Sequence, residues 1–271
     1  MNRITQCMQA LKDTHKKAFV AYIVSGDPRP SVTLDSMHEL VKQGVDIIEL
    51  GIPFSDPMAE GPVIQFGHER ALAHNISLKG TLETVSAFRV TNQSTPIVLM
   101  GYANPIERLG YEHFATIASA AGADGVLTVD LPPDEALGLN SELKRVGLEN
   151  IFLLAPTTTH ARIREIVSLA SGFVYYVSLK GVTGAGHLDL DSVKSKVADI
   201  RCYTNLPLCV GFGIKDSNSA KAVAEHGDGA VVGSVFVDKM GSLADASDAE
   251  IVAAVGDIAK DIRQGLDQLM A

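Results

Sequence analysis

Glu49 stands inside the apolar run Ile47-Ile-Glu-Leu50. A carboxylate there is costly to bury, and burial raises its pKa. Such a group suits proton transfer near neutral pH, although a structural ion pair would use the same residue. The next segment, Gly51-Ile-Pro-Phe-Ser-Asp-Pro-Met-Ala-Glu-Gly-Pro62, carries Asp56 and Glu60 among three prolines and two glycines. That composition makes a shaped, mobile lid. Its two acids could alternatively cap a helix that opens near Val63. Asp27 in Gly-Asp-Pro and Asp130 in Val-Asp-Leu-Pro-Pro read more plainly, as caps or loop-fixing residues.

A second kind of chemistry lies in three glycine-bearing turns: Gly181-Val-Thr-Gly-Ala-Gly186, Gly211-Phe-Gly-Ile214 and Gly233-Ser234. Glycine lets the backbone approach a ligand and point several N–H groups at one anion. The chain carries a formal net charge of −9, so it repels nucleic acid and anionic membrane. An anionic ligand must therefore be held locally, and only Lys180 and Lys215 lie near these turns. Any one of them alone would read as an ordinary tight connection; three in succession point to phosphate. Gly211-Phe-Gly lacks the third glycine of a dinucleotide fingerprint. There is no P-loop and no HExxH, and the eight histidines are scattered without metal spacing. No metal site is expected, and the histidines read as surface or helix residues.

The elements that must position these groups alternate. Short apolar runs at Phe19–Val24, Asp46–Leu50, Pro96–Met100, Gly125–Val129, Ile151–Leu154, Phe173–Val177, Pro207–Val210 and Gly229–Val232 read as parallel strands buried on both faces. Amphipathic stretches follow them at Ser31–Gln43, Leu82–Val90, Tyr111–Ala121, Asp134–Val146, His160–Ala170, Leu190–Ile200, Ser217–His226 and Asp248–Met270. Pro30, Pro132 and Thr157 open plausible helix starts. Eight βα units in 271 residues predict an α/β protein, a single (β/α)8 TIM barrel spanning residues 1–271, over an open doubly wound sheet. An extra segment, Asn2–Lys12, places Ile4, Cys7, Met8 and Leu11 on one helical face and is expected to cover the barrel bottom. Chemistry should then sit where strands end, in the βα loops, with phosphate after strands seven and eight. Cys7, Cys202 and Cys209 show no paired spacing, and the N-terminus lacks the apolar core of a signal peptide. A soluble, cytoplasmic protein with reduced thiols is the expectation.

The run from Glu49 to Gln65 closely resembles the signature of the tryptophan synthase alpha subunit family. The likeness continues through Gly26-Asp-Pro28, Asn104-Pro105, Tyr175 with Ser178, Gly181-Val-Thr-Gly184, Gly211-Phe-Gly213 and Gly233-Ser234, so it covers essentially the whole chain in order. The resemblance implies a lyase that cleaves indole-3-glycerol phosphate to indole and glyceraldehyde 3-phosphate by a reversible retro-aldol reaction. It implies that Glu49 protonates the indole carbon bearing the side chain and that Glu60 accepts the indole N–H. Phosphate would rest on Gly184, Gly213, Gly233 and Ser234. Indole would lie among Tyr22, Met100, Leu127, Tyr175 and Phe212, of which Met100, Leu127 and Phe212 could equally be barrel filling. A beta subunit would receive the indole in an α2β2 heterotetramer, facing loops Pro53–Pro62 and Gly101–Tyr111. Pyridoxal phosphate would belong to that partner, with no cofactor in this chain.

Three positions depart from the family pattern. Glu60 stands where aspartate is usual, Tyr22 where phenylalanine is more usual, and Leu179-Lys180 where an arginine-containing pair is common. A longer carboxylate at position 60 leaves room for a second function, a weak lyase that chiefly activates its beta partner. A free-standing indole-producing lyase and another phosphate-binding barrel are further alternatives, and the latter does not account for the Glu49–Gln65 segment.

Overall fold

Eight apolar strands pair in sequence order, each parallel to the next, and the eighth returns to the first. The structure, a computed structural model, describes residues 2–177, 190–211 and 213–269. In chain order the elements are α1 (Arg3–Asp13), β1 (Ala18–Val24), α2 (Pro30–Lys42), β2 (Ile47–Gly51), α3 (Pro62–Ala73), α4 (Leu78–Thr91), β3 (Ile97–Gly101), α5 (Ala103–Leu109) and α6 (Tyr111–Ala121). They continue with β4 (Gly125–Thr128), α7 (Leu137–Arg145), β5 (Glu149–Leu154), α8 (His160–Leu169), β6 (Val174–Val177) and α9 (Leu190–Arg201). The last are β7 (Leu208–Gly211), α10 (Ser217–Ala224), β8 (Gly229–Val232), α11 (Ser234–Ser242) and α12 (Asp248–Asp267). This is a (β/α)8 TIM barrel, as the alternation predicts.

Strand residues alternate between two cores because successive side chains point to opposite faces. One set, including Phe19, Ala21, Ile48, Leu50 and Leu99, packs outward against the helices. The other fills the barrel with Val20, Ile47, Val98, Leu127, Ile151, Phe173, Cys209 and Val231. Ile4, Met8 and Leu11 of α1 join this inner cluster and close the bottom, as the amphipathic N-terminal segment predicts. Asp124, at the foot of β4, ties the closure down. Its carboxylate meets Arg3 of α1 at 2.9 Å and Arg89 of α4 at 2.8 Å, and accepts the Ile97 N–H at 2.8 Å.

Among the described residues, three helices add to the eight expected along the barrel. α3 begins at Pro62 straight after the proline-rich loop, and α11 starts one residue after β8. α5 is a seven-residue helix in the loop after β3. The helix expected over Asp134–Val146 is shorter: residues 132–136 form turns, with Glu135 and Ala136 bonding back to Pro132, before α7 begins. Pro30 does occupy the first turn of α2, and Thr159 caps α8 by accepting the Arg162 N–H.

At the mouth, α3 is clamped in place. Arg70 of α3 makes two hydrogen bonds, at 2.6 and 3.0 Å, to the fully buried Asp27 after β1. Asp130, after β4, accepts the Ala103 N–H at the start of α5 at 2.7 Å. Both aspartates therefore fix loops, the plainer of the roles their positions allow.

Candidate active site

Glu49 follows Ile47 by two residues, so it shares that residue's inward face. It lies level with Tyr22 on β1 and Val98 on β3. Its side chain is 1% exposed, and Oε1 has no hydrogen-bond partner among the described residues. Burial, reinforced by the negative charge of Glu60, pushes its pKa up to about 8. No cation among the described residues offsets either cause, and with a pKa of about 8 the carboxyl is protonated at pH 7. The ion-pair alternative for Glu49 is not what the fold builds.

Glu60 is carried by the loop between β2 and α3 and sits half-buried at the same opening. Burial raises its pKa to about 7. The loop is held by its backbone. The Glu60 N–H donates to the Pro57 carbonyl at 3.0 Å, and the Gln65 amide donates to the Glu60 carbonyl at 2.9 Å. The Ala59 N–H donates to the Tyr102 hydroxyl at 3.2 Å, and the Tyr102 ring stacks on Phe54 with centroids 5.1 Å apart. Gly61 is the N-cap of α3, which has no side-chain cap. Neither Asp56 nor Glu60 caps it. Asp56 is exposed and accepts the Ser55 hydroxyl at 2.6 Å.

Both glutamates open onto one cavity of about 270 Å3, lined also by Tyr22, Met100, Tyr175, Gly213, Gly233 and Ser234. Eight of the residues singled out from the sequence thus converge. Leu127 does not line it; it is wholly buried in the inner cluster, where Met100 and Tyr175 pack. Gly184 and Phe212 lie outside the described residues. Two glycines shape the walls by what they lack. A Cβ on Gly51 would stand 2.4 Å from the Tyr22 hydroxyl, and one on Gly211 would stand 2.4 Å from that of Tyr175. Any side chain at either position would drive a tyrosine from its seat.

Another part of the lining is chemically different. Gly233 is the N-cap of α11, with no side chain occupying the cap, and Ser234 is its first residue. The first amides of a helix lack partners within it, and its dipole favours negative charge there. The lining therefore joins two carboxyl groups and two tyrosines to the backbone of Gly213, Gly233 and Ser234, the last two at a helix N-terminus that favours negative charge. Among the described residues, no group of three or more His, Cys, Asp or Glu is placed to hold a metal. A larger cavity, about 720 Å3, lies at the opposite end of the barrel among Met8, Leu11, Lys12 and Arg201. It contains neither Glu49 nor Glu60.

A profile of the tryptophan synthase alpha chain family matches residues 8–265. The chain belongs to that family. The tryptophan synthase alpha chain of Thiobacillus denitrificans is 51% identical over 267 residues, which is 98% of this chain and 97% of the relative. That of Chromobacterium violaceum is 55% identical over 240 residues, 89% and 91% of the two chains. The crystal structure of tryptophan synthase subunit alpha from Legionella pneumophila strain Paris superposes with a TM-score of 0.92 at 45% identity, covering 99% of each chain. Tryptophan synthase alpha chains are lyases that act on indole-3-glycerol phosphate in tryptophan synthesis, and membership gives this chain that activity.

Sequence reasoning missed His68 and Tyr102. His68 is 2% exposed, lies on α3 and bonds to both Tyr22 and Phe54. Its signal was a histidine on the stretch opened by Pro62, a stretch without strong amphipathic pattern.

Proposed function

We propose that this cavity cleaves indole-3-glycerol phosphate with Glu49 and Glu60 as its catalytic pair. The observation that carries the reading is one buried, uncompensated carboxyl group sharing a cavity with a second carboxyl and with the N-terminus of α11. Protonated Glu49 gives its proton to the ring carbon that bears the glycerol chain. Ionised Glu60 accepts the indole N–H and stabilises the positive charge that develops on the ring. Glu49, now a carboxylate, takes the proton of the hydroxyl next to the ring. The carbon–carbon bond breaks, its electron pair restores the aromatic ring, and the carbinol becomes the aldehyde of glyceraldehyde 3-phosphate. Glu49 ends protonated, as it began.

In this reading the phosphate rests on Gly213, Gly233 and Ser234, with Gly184 completing the seat. The indole lies against Tyr22, Met100 and Tyr175, with Phe212 beside it and Leu127 packed behind. The whole chain, residues 1–271, acts as one domain. Family membership implies a beta-subunit partner; an α2β2 heterotetramer, with pyridoxal phosphate in the beta chain only, is part of the proposal. Two exposed apolar side chains favour such docking near the mouth: Met58 in the Glu60 loop and Leu109 at the end of α5. A cytoplasmic location is proposed too, and no helix among the described residues is long and apolar enough to cross a membrane.

The test is indole release from indole-3-glycerol phosphate by the full chain, alone and with a beta subunit. The reading expects release that Glu49→Gln abolishes and that the beta subunit stimulates. A wild-type chain that stimulates the beta subunit yet releases no indole would make it an activator instead.

A further inference from the structure

His68 is buried on α3 between two parts of the site. The Phe54 N–H donates to its Nδ1 at 3.1 Å. A ring nitrogen that accepts a hydrogen bond carries no proton, so the proton of the neutral ring is on Nε2. Burial pulls the His68 pKa down to about 4, which keeps the ring neutral at pH 7. Nε2 lies 3.3 Å from the Tyr22 hydroxyl. With the proton so placed, the imidazole donates and the phenol oxygen accepts. The phenol's own proton is left for another acceptor.

The Tyr22 ring has little freedom to seek that acceptor elsewhere. Its hydroxyl lies against Gly51, and its ring against Gly233, where added Cβ atoms would stand 2.4 and 3.1 Å away. It faces the cavity it lines with both glutamates. The charges acting on the phenol are, in order, Glu60, Glu49, Tyr102 and Asp27. Asp27 is already engaged by Arg70, and Tyr102 accepts from Ala59. Glu49 is protonated at pH 7, for the reason given above. A protonated carboxyl still accepts through its carbonyl oxygen, but the ionised Glu60 carboxylate is the stronger acceptor lining the cavity.

We propose that His68 is a positioning residue for the cleavage: it holds Tyr22 by its oxygen and the Glu60 loop by the Phe54 N–H, and so aims the Tyr22 hydroxyl proton at the Glu60 carboxylate. This rests on the assignment of Glu49 and Glu60 above. A donated phenol proton favours the ionised form of Glu60, the form that can receive the indole N–H. It also fixes the longer glutamate side chain, whose reach would otherwise leave its carboxylate free to wander.

The experiment is the pH dependence of kcat and KM for indole release by the full chain. The variants are Tyr22→Phe, His68→Leu, His68→Gln, the double Tyr22→Phe/His68→Leu, and Glu49→Gln. In the wild type, kcat/KM rises near pH 7 as Glu60 ionises and falls near pH 8 as Glu49 loses its proton. Tyr22→Phe is expected to move the rising limb up by roughly half to one pH unit. It should lower kcat by about three- to tenfold with little change in KM. His68→Leu should act in the same direction, and the double variant should be no worse than the more damaging single. His68→Gln, whose amide can both accept from Phe54 and donate to Tyr22, should restore the limb. A rising limb unmoved in Tyr22→Phe would overturn the proposal, and that variant decides the matter even if His68→Leu fails to fold. Glu49→Gln separates the two levels. If it is inactive while the limb stays put, only the role of His68 and Tyr22 falls; if it is fully active, the carboxylate assignment falls with it.

Discussion

At the bottom of the barrel Asp124 is buried and holds two arginines, whereas at the mouth Glu49 is buried and holds none. Asp124 spends its charge on Arg3, Arg89 and the Ile97 N–H, joining α1, α4 and β3 at one point. Among the described residues Glu49 leaves Oε1 without a partner and has another carboxylate as its charged neighbour. Depth does not separate them, and neither does the end of the barrel alone, since Asp27 near the mouth is fully buried and paired with Arg70. What separates them is compensation. A compensated carboxylate fastens elements together. An uncompensated one keeps its proton at neutral pH and can give it away.

That contrast can be broken most sharply by exchanging stability for activity. Glu49→Gln is expected to lower indole release by roughly 10²- to 10⁴-fold, while its midpoint in denaturant stays at or above the wild-type value. Asp124→Ala is expected to do the reverse. It leaves Arg89 buried without its counter-charge and should cost roughly 3–5 kcal/mol of stability in urea unfolding, with kcat per folded molecule almost unchanged.

A smaller effect sharpens the comparison through pH. The folded-state pKa of Glu49 is raised from 4.5 to about 8. Between those values the folded protein keeps a proton that the unfolded chain has released. Glu49 therefore makes the native state progressively less stable as pH rises from about 4.5 to 8, and contributes no penalty below that window. The wild type should lose up to about 1.4 kcal/mol per pH unit there relative to Glu49→Gln, measured by denaturant midpoints at several pH values. The smallest expected effect is that of Tyr102→Phe, which removes the acceptor for the Ala59 N–H beside Glu60. About 1 kcal/mol of loop positioning should be lost, seen as a several-fold fall in kcat/KM with the global midpoint unchanged.

Much of the frame was legible in the sequence, because buried parallel strands must be almost continuously apolar. The strands from Phe19 and Gly229 begin within a residue of the expected places, and Ile4, Met8 and Leu11 fall on the face of α1 that closes the barrel. Three helices were not legible, each for a physical reason. α5 has seven residues and carries Pro105. α11 opens with Ser-Val-Phe-Val, a run as apolar and β-branched as the strand before it. α3 interrupts its apolar pattern with Gly67 and His68, both buried. Gly67 has no side chain because Val237 of α11 would stand 2.7 Å from its Cβ.

The site divides in the same manner. Glu49 was visible as a charge inside an apolar run, and the glycine turns were visible by type. Glu60 and Asp56 could not be told apart by position, because a cap and a catalytic acid occupy the same kind of loop. Only the fold brings Glu60 to the cavity and leaves Asp56 exposed beside Ser55. Leu127 shows the opposite limit. It lies on the inward face of β4, in register with Met100, yet it is wholly buried and does not line the cavity.

The central claim, that the barrel mouth keeps one buried carboxyl group protonated through neutral pH, is tested most directly by infrared titration of the carboxyl stretch. Difference spectra of wild type against Glu49→Gln should show a protonated carboxyl signal at pH 7 that disappears near pH 8. A Glu49 signal already ionised at pH 6 would contradict the account.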